Sequence, residues 1–220
     1  MDDTGWFSVT PAAIASQIAE RCACGVVVDA FCGVGGNAIA FAATCERVIA
    51  IDNCEKRLRL ARHNALQCGV ADRIEFVLAD YTAWARARAG AAGKEAVDVV
   101  FLSPPWGESN HLLRWPYADY TGGIEYQSGG GAYPLSAILP IPGDELFTLS
   151  AGLTPNIAYF LPRNVDIQEV AALAAHIPHP TADTVDGSER AREWVEIEEE
   201  WVGDKLKAVT AYFGSLVSGA

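Results

Sequence analysis

Short runs of β-branched and other apolar residues return along this chain at regular intervals, with stretches of helical period between them. The runs are residues 26–30, 47–51, 74–79, 97–102 and 156–161. Continuous apolar runs of this length read as parallel strands buried on both faces. Helical spacing falls on residues 37–44, 54–68, 81–89 and 166–175. The clearest is 54–68, where Leu58, Ala61, Ala65 and Cys68 share one side and Lys56, Arg57 and Arg59 take others. Strand and helix in alternation predict a doubly wound parallel α/β sheet. With 220 residues, 50% of them hydrophobic, the chain is expected to form a single domain over 1–220.

The alternation stops near the C-terminus. In 194–202, Val195 and Ile197 fall on one face and Glu196, Glu198 and Glu200 on the other. Gly203 and Asp204 then turn the chain into a second strand, 205–214, with Leu206, Ala208, Thr210 and Tyr212 on one face. Parallel strands that end in an antiparallel hairpin resemble the class I methyltransferase fold. That resemblance implies a Rossmann-like, mostly parallel, seven-stranded sheet.

Composition narrows the setting. No apolar run approaches the ~18 residues of a membrane span, and the start MDDTGWFSVT lacks the apolar stretch of a signal peptide. A soluble intracellular protein with no membrane partner is expected. Six cysteines, all before residue 69, form no Cys-x-x-Cys pair, so reduced thiols and no structural metal are expected. The net charge of −12 disfavours a long-duplex partner. Residues 186–204 hold eight acids against Arg190 and Arg192, half of that net charge, so recognition of a few nucleotides remains open. Residues 107–143, rich in glycine and proline, are expected to form a long substrate-side loop.

The first run leads directly into Asp29-Ala30-Phe31-Cys32-Gly33-Val34-Gly35-Gly36-Asn37. Glycines there let the backbone turn tightly and approach a ligand closely. The loop departs from a dinucleotide fingerprint, because Phe31 stands where the first glycine belongs. Asp29 would repel a pyrophosphate, yet it suits the amino and sulfonium groups of S-adenosylmethionine. Asp52, 17 residues after Gly35, is placed for both hydroxyls of an adenosine ribose. Asp80, with Tyr81 alongside, is placed for the adenine amine. Each acid taken alone also fits a helix N-cap. Three acids at successive strand ends favour a ligand.

The fourth run ends in Ser103-Pro104-Pro105-Trp106. An exocyclic base amine is a poor nucleophile, because its lone pair is delocalised into the ring. The Ser103 side chain and the Pro104 carbonyl are acceptors for the amine's protons, which favours a pyramidal nitrogen. Consecutive prolines cannot donate and hold the turn rigid. Trp106 offers a flat surface for a base. Catalysis would be mostly positioning, with no strong general base. The alternative is a structural Pro-Pro turn beside a buried tryptophan.

Together these segments are similar to the trimethylguanosine synthases, a resemblance that covers nearly the whole chain. It rests on Trp6-Phe7-Ser8-Val9-Thr10-Pro11, the glycine loop, Val48-Ile49-Ala50-Ile51-Asp52 and Ala61-Arg62-His63-Asn64-Ala65. It continues in Phe101-Leu102-Ser103-Pro104-Pro105-Trp106-Gly107, Tyr159-Phe160-Leu161-Pro162-Arg163-Asn164 and the segment 206–214. The resemblance implies methylation of the exocyclic N2 amine of a 7-methylguanosine RNA cap. Thr10, Asp29, Asp52 and Asp80 would hold S-adenosylmethionine, with Phe31, Gly33, Gly35 and Tyr81 around it. Trp106 would stack on the cationic cap guanine, a contact worth ~2 kcal/mol when desolvated. Asn64 and Arg163 would reach the cap ribose and phosphates. Capped RNA is the implied partner, with room for proteins that deliver it, and nuclear residence is implied only in this way. The oligomeric state is left open.

Two departures stand out. Only five residues precede Trp6, where the family usually carries a helical extension, so a catalytic fragment or a minimal form is expected. After Gly107 the pattern is lost, leaving Trp115, Tyr117 and Tyr120 as candidates for a second aromatic face. Rival readings are a methyltransferase for an exocyclic amine of another RNA or DNA base, a cap-binding module without catalysis, and a nicotinamide-dependent oxidoreductase.

Overall fold

The apolar runs pair into one sheet. The structure, a computed structural model, describes residues 10–89, 96–106, 132–177 and 194–218. Its strands are β1 (Val26–Asp29), β2 (Arg47–Asp52), β3 (Ile74–Leu78), β4 (Val99–Leu102), β5 (Ile157–Pro162), β6 (Glu196–Val202) and β7 (Lys205–Tyr212). They lie in the order β3-β2-β1-β4-β5-β7-β6. The first five are parallel, and β7 runs antiparallel between β5 and β6. This is the class I methyltransferase arrangement expected from the hairpin. In β1, β4 and β5 every residue is buried, which is why their side chains do not alternate in polarity.

Helices cover both faces. On one lie α1 (Ala12–Arg21), α2 (Gly36–Thr44) and α3 (Glu55–Gln67), which pack Ile14, Ile18, Phe41, Leu58 and Ala65 against the sheet. On the other lie α4 (Tyr81–Ala89), α5 (Gly143–Ala151) and α6 (Ile167–Ala172), which contribute Tyr81, Leu146, Phe147 and Val170. Among the described residues, no helix is long and apolar enough to cross a membrane. All six cysteines are free thiols. Cys24 donates to the Cys45 sulfur at 3.8 Å, and this hydrogen bond helps hold the Cys45 thiol low, at about 6.

The segment 107–143 is described only in part. Residues 107–131, with Trp115, Tyr117 and Tyr120, lie outside the described residues, but 132–143 is built into the molecule. Leu135 and Ile138 are buried in the core, Leu139 N donates to the Pro105 carbonyl at 3.0 Å, and Gly143 begins α5. The acidic face of β6 makes specific contacts. Arg21 of α1 pairs with Glu196 at 3.0 Å and with Glu198, while Glu200 is buried and accepts from Thr210. Burial raises the Glu200 carboxyl, with Thr210 opposing that rise.

Candidate active site

The strand order reverses between β1 and β4, and in open α/β sheets ligands bind beyond the carboxyl ends of strands at such a point. Pairing aligns those ends. Asp29 is in register with Ala50 and Phe101, Asp52 with Leu78, and Leu102 with Tyr159. The acids and the Ser103–Trp106 segment therefore emerge along one edge of the sheet, although they are far apart in sequence.

The glycine loop is shaped from both sides. Gly33 and Gly35 have φ of +53° and +90°, a region that L side chains rarely adopt. Gly35 has a second constraint, because a Cβ there would meet the Ala61 Cβ at 3.0 Å and Cα at 3.2 Å. Helix α3 thus packs directly on the loop backbone. On the same helix, Asn64 Nδ2 donates to the Val34 carbonyl at 2.9 Å. From the sheet side, Asp52 Oδ2 accepts the Gly33 amide at 3.0 Å and Oδ1 accepts the Cys54 amide at 2.8 Å.

At the centre of this frame lies an unneutralised carboxylate. Asp29 is fully buried, and among the described residues neither of its oxygens receives a well-aligned hydrogen bond; the Phe31 and Ala38 amides are near enough only to favour its ionised form. Burial, aided by the nearby Asp52 charge, pushes its carboxyl up to about 7, although the Phe31 and Ala38 amides pull the other way. Burying an uncompensated acid is costly unless something fills the site. Asn37, in the first turn of α2, shows the same feature. Its Nδ2 donates to the buried Thr10 hydroxyl at 2.9 Å, while its Oδ1 is buried and, among the described residues, has no partner. Sequence reasoning quoted Asn37 but gave it no role. The signal was a lone amide among the alanines, Ile39 and Phe41 of α2.

The other residues expected at this end are placed less uniformly. Asp80 is exposed, and its Oδ1 caps α4 by accepting from the Thr82 hydroxyl at 2.6 Å and the Ala83 amide at 3.0 Å. Those hydrogen bonds, Thr82's first, lower its carboxyl. Tyr81 turns inward, with its hydroxyl 2.8 Å from Ser150 Oγ in α5 and its ring 5.6 Å from that of Phe31. It therefore backs the half-buried Phe31 from the core side. Ser150 was not anticipated as its partner.

At the β4 end, Pro104 is buried, Ser103 half-buried and Pro105 exposed. Trp106 is half-buried, and its indole N–H donates to the Phe160 carbonyl at 3.4 Å. Its ring lies 5.6 Å from that of Phe160 at an interplanar angle of 32°. Phe160 of β5 thus orients the indole, a role that sequence reasoning missed. Arg163, just past β5, is exposed and donates to the Leu206 carbonyl at 3.4 Å. Beside it, Asn164 Oδ1 is buried and has no partner among the described residues.

The family model for RNA cap guanine-N2 methyltransferases matches residues 24–114 and 116–215. The chain belongs to this family. It is 33% identical over 177 residues to the trimethylguanosine synthase of Schizosaccharomyces pombe, covering 78% of this chain and 66% of that protein. The trimethylguanosine synthase of Saccharomyces cerevisiae is 31% identical over 188 residues, covering 83% of this chain and 54% of that one. The chain thus spans just under two thirds and about half of those relatives. Among solved structures, the S-adenosylmethionine-dependent O-methyltransferase of Thermotoga maritima aligns over 93% of this chain and 66% of its own, with TM-score 0.53 and 13% identity. The tRNA m1G37 methyltransferase of M. jannaschii gives TM-score 0.52 and 13% identity over 93% of this chain and 50% of its own. At such identities the likeness is one of fold.

S-adenosylmethionine is the cofactor that this family and fold imply. The residues present fit it, since the Asp29 carboxylate and the Asn37 amide oxygen, without a well-aligned partner among the described residues, lie at a glycine loop that admits close backbone approach. A buried anion with a second carboxylate nearby suits a cationic ligand.

Proposed function

We propose that this chain methylates the exocyclic N2 amine of a 7-methylguanosine RNA cap, giving a di- or trimethylguanosine cap. The reading is carried by one juxtaposition: β4 delivers Ser103, Pro104 and Trp106 beside the buried, unneutralised Asp29 at the end of β1.

When bound, S-adenosylmethionine supplies a methyl group already activated on a sulfonium. Asp29 takes the ammonium of its amino-acid end, which replaces the missing counter-charge. Asn37 Oδ1 and Thr10 border the same end, while Gly33 and Gly35 keep the loop wall free of side chains. A carboxylate oxygen accepts more than one hydrogen bond, so Asp52 can serve the ribose hydroxyls while still holding the Gly33 and Cys54 amides. Asp80 likewise has capacity for the adenine amine beyond its N-cap bonds. Phe31, backed by Tyr81, supplies an apolar wall.

On the substrate side, the Ser103 hydroxyl and the Pro104 carbonyl accept from the two protons of the guanine amine. This draws its lone pair out of conjugation and toward the methyl group. Neither Pro104 nor Pro105 has a backbone N–H to compete for that lone pair. Trp106 stacks on the purine, whose 7-methyl group makes it cationic and therefore a better partner for an indole face. Asn64, its amide nitrogen already on Val34, offers Oδ1 to the cap ribose. Arg163 meets the cap phosphates from the end of β5. Proteins that bring capped RNA to the enzyme, and a nuclear or cytoplasmic setting, belong to the same proposal.

The test is a methyl-transfer assay with S-adenosylmethionine on a 7-methylated cap dinucleotide and on its unmethylated twin. Product from the methylated form alone is expected, and its mass counts the methyl groups added. Equal transfer to both, or transfer to adenine or cytosine in uncapped RNA or DNA, would overturn the cap reading.

A further inference from the structure

Helix α3 is a basic segment in an acidic protein. Its 13 residues hold Lys56, Arg57, Arg59 and Arg62 against Glu55 alone, a local charge of +3 in a chain of −12. These are four of the chain's 16 lysines and arginines. Lys56, Arg59 and His63 stand at i, i+3 and i+7, so they line one ridge of the helix, and Arg62 joins it three residues after Arg59. All four are exposed.

The needs of the helix itself do not explain this placement. Lys56 and Arg57 stand in the first turn, where the helix dipole disfavours cations. The ion pair of Arg59 with Glu55 within the helix is 78% and 63% exposed and contributes little. Among the described residues, no carboxylate pairs with Arg57 or Arg62.

The ridge and part of the candidate active site share this one helix. Helix α3 starts where the Cys54 amide bonds Asp52, and its opposite side rests on the glycine loop through Ala61 at Gly35 and Asn64 at Val34. Arg57 is half-buried on the same side as Asn64, two turns before it. By helical spacing it lies between the side that carries Asn64 and the ridge.

We infer that the α3 ridge of Lys56, Arg59, Arg62 and His63, entered past Arg57, is the docking surface for the phosphate backbone of the RNA that follows the cap. The inference rests on the proposed function, because a capped substrate necessarily carries a polyanion away from the site. Single-stranded RNA brings a charge at every nucleotide, and each neutralised phosphate releases counterions to solvent. A short ridge in a chain of net charge −12 guides the first few nucleotides, while the overall charge repels the remainder, which matches recognition of the 5′ end over long-duplex binding. The rival occupant, an acidic protein segment, would leave RNA affinity indifferent to the ridge.

The experiment uses the full chain and the variant Lys56→Ala/Arg59→Ala/Arg62→Ala, which changes only exposed helix positions to the best helix former. Methylation of the cap dinucleotide and of the same cap on an oligoribonucleotide long enough to lie along α3 is followed across a salt series. The wild type is expected to show a lower KM for the oligonucleotide, and the variant to lose that preference with dinucleotide kinetics unchanged. The slope of log KM against log salt should fall by about 2 for three lost contacts to single-stranded phosphates. An unchanged preference and slope in the variant would overturn the inference. Should the wild type methylate neither capped substrate, the functional reading fails separately. Fluorescence anisotropy with the uncapped oligonucleotide then still judges the ridge. Weaker binding by the variant upholds it, and equal binding refutes it.

Discussion

The Asp52 carboxylate holds the Gly33 amide at 3.0 Å, tying the end of β2 to the glycine loop that leaves β1. Its other oxygen holds the Cys54 amide at the start of α3. One side chain therefore sets the shape of the loop while facing the edge where the cofactor is proposed to sit.

Asp52→Ala removes both functions at once. Hydrogen bonds to a charged group are worth about 1.5–3 kcal/mol each, so S-adenosylhomocysteine affinity should fall by tenfold or more, with a lower melting temperature. Calorimetric titration and thermal denaturation read the two effects. A variant with a lower melting temperature but full affinity would confine Asp52 to a structural role.

Asp29 behaves in the opposite sense. Its folded-state carboxyl is pushed up to about 7 by burial, from an ordinary 3.8. An acid raised in the native state binds its proton more tightly there than in the unfolded chain. Its effect without ligand is to favour the native state below about 4 and to lose that advantage as pH rises to 7. Asp29→Asn should therefore raise the melting temperature of the ligand-free protein at pH 8. A cationic ligand needs the ionised acid, so S-adenosylmethionine affinity in the wild type should climb as pH rises through 7. That climb should be absent in the variant. Affinity that does not vary with pH in the wild type would remove Asp29 from the ammonium site.

Gly35 and Gly33 offer a graded comparison. Alanine at either has a positive φ to maintain, a strain on the order of 1–3 kcal/mol. Only at Gly35 does the new methyl also meet Ala61, at 3.0 Å. Gly35→Ala should destabilise the protein more than Gly33→Ala in urea denaturation. Equal losses would show that α3 yields at that contact.

Trp106 is held by Phe160 through its indole N–H and its ring. Trp106→Ala should abolish methylation of a free cap analogue while S-adenosylhomocysteine binds nearly as before, and Trp106→Phe should retain part of the activity. Parallel loss of cofactor binding in Trp106→Ala would mark the tryptophan as a folding residue.

Much of the architecture is legible locally. Strand runs, helix period and the Gly203-Asp204 turn depend on neighbours in sequence, and the sheet follows them closely, down to α4 at Tyr81–Ala89. Two helices escaped that reading. α1 spans only ten residues, follows Pro11 without a side-chain cap, and shows its period only in Ile14, Ala15, Ile18 and Ala19. α5 follows a glycine- and proline-rich stretch and opens on Gly143, a residue that suggests loop. That glycine is there because a Cβ would meet Ile138 and the Tyr159 hydroxyl at 2.8 and 2.9 Å.

By itself the sequence determined the alternation of elements, the glycine loop and the identity of the residues that end each strand. The tertiary structure alone decided which polar atoms are spent and which remain for a ligand. Tyr81 turns its hydroxyl to Ser150, 69 positions away, and Asn64 gives its amide nitrogen to Val34, 30 positions away. Among the described residues, Asp29 and Asn37 Oδ1 keep no well-aligned partner. The physical reason is that a buried polar group is satisfied by whatever folding brings within about 3 Å. Short-range pattern carries no record of those long-range encounters.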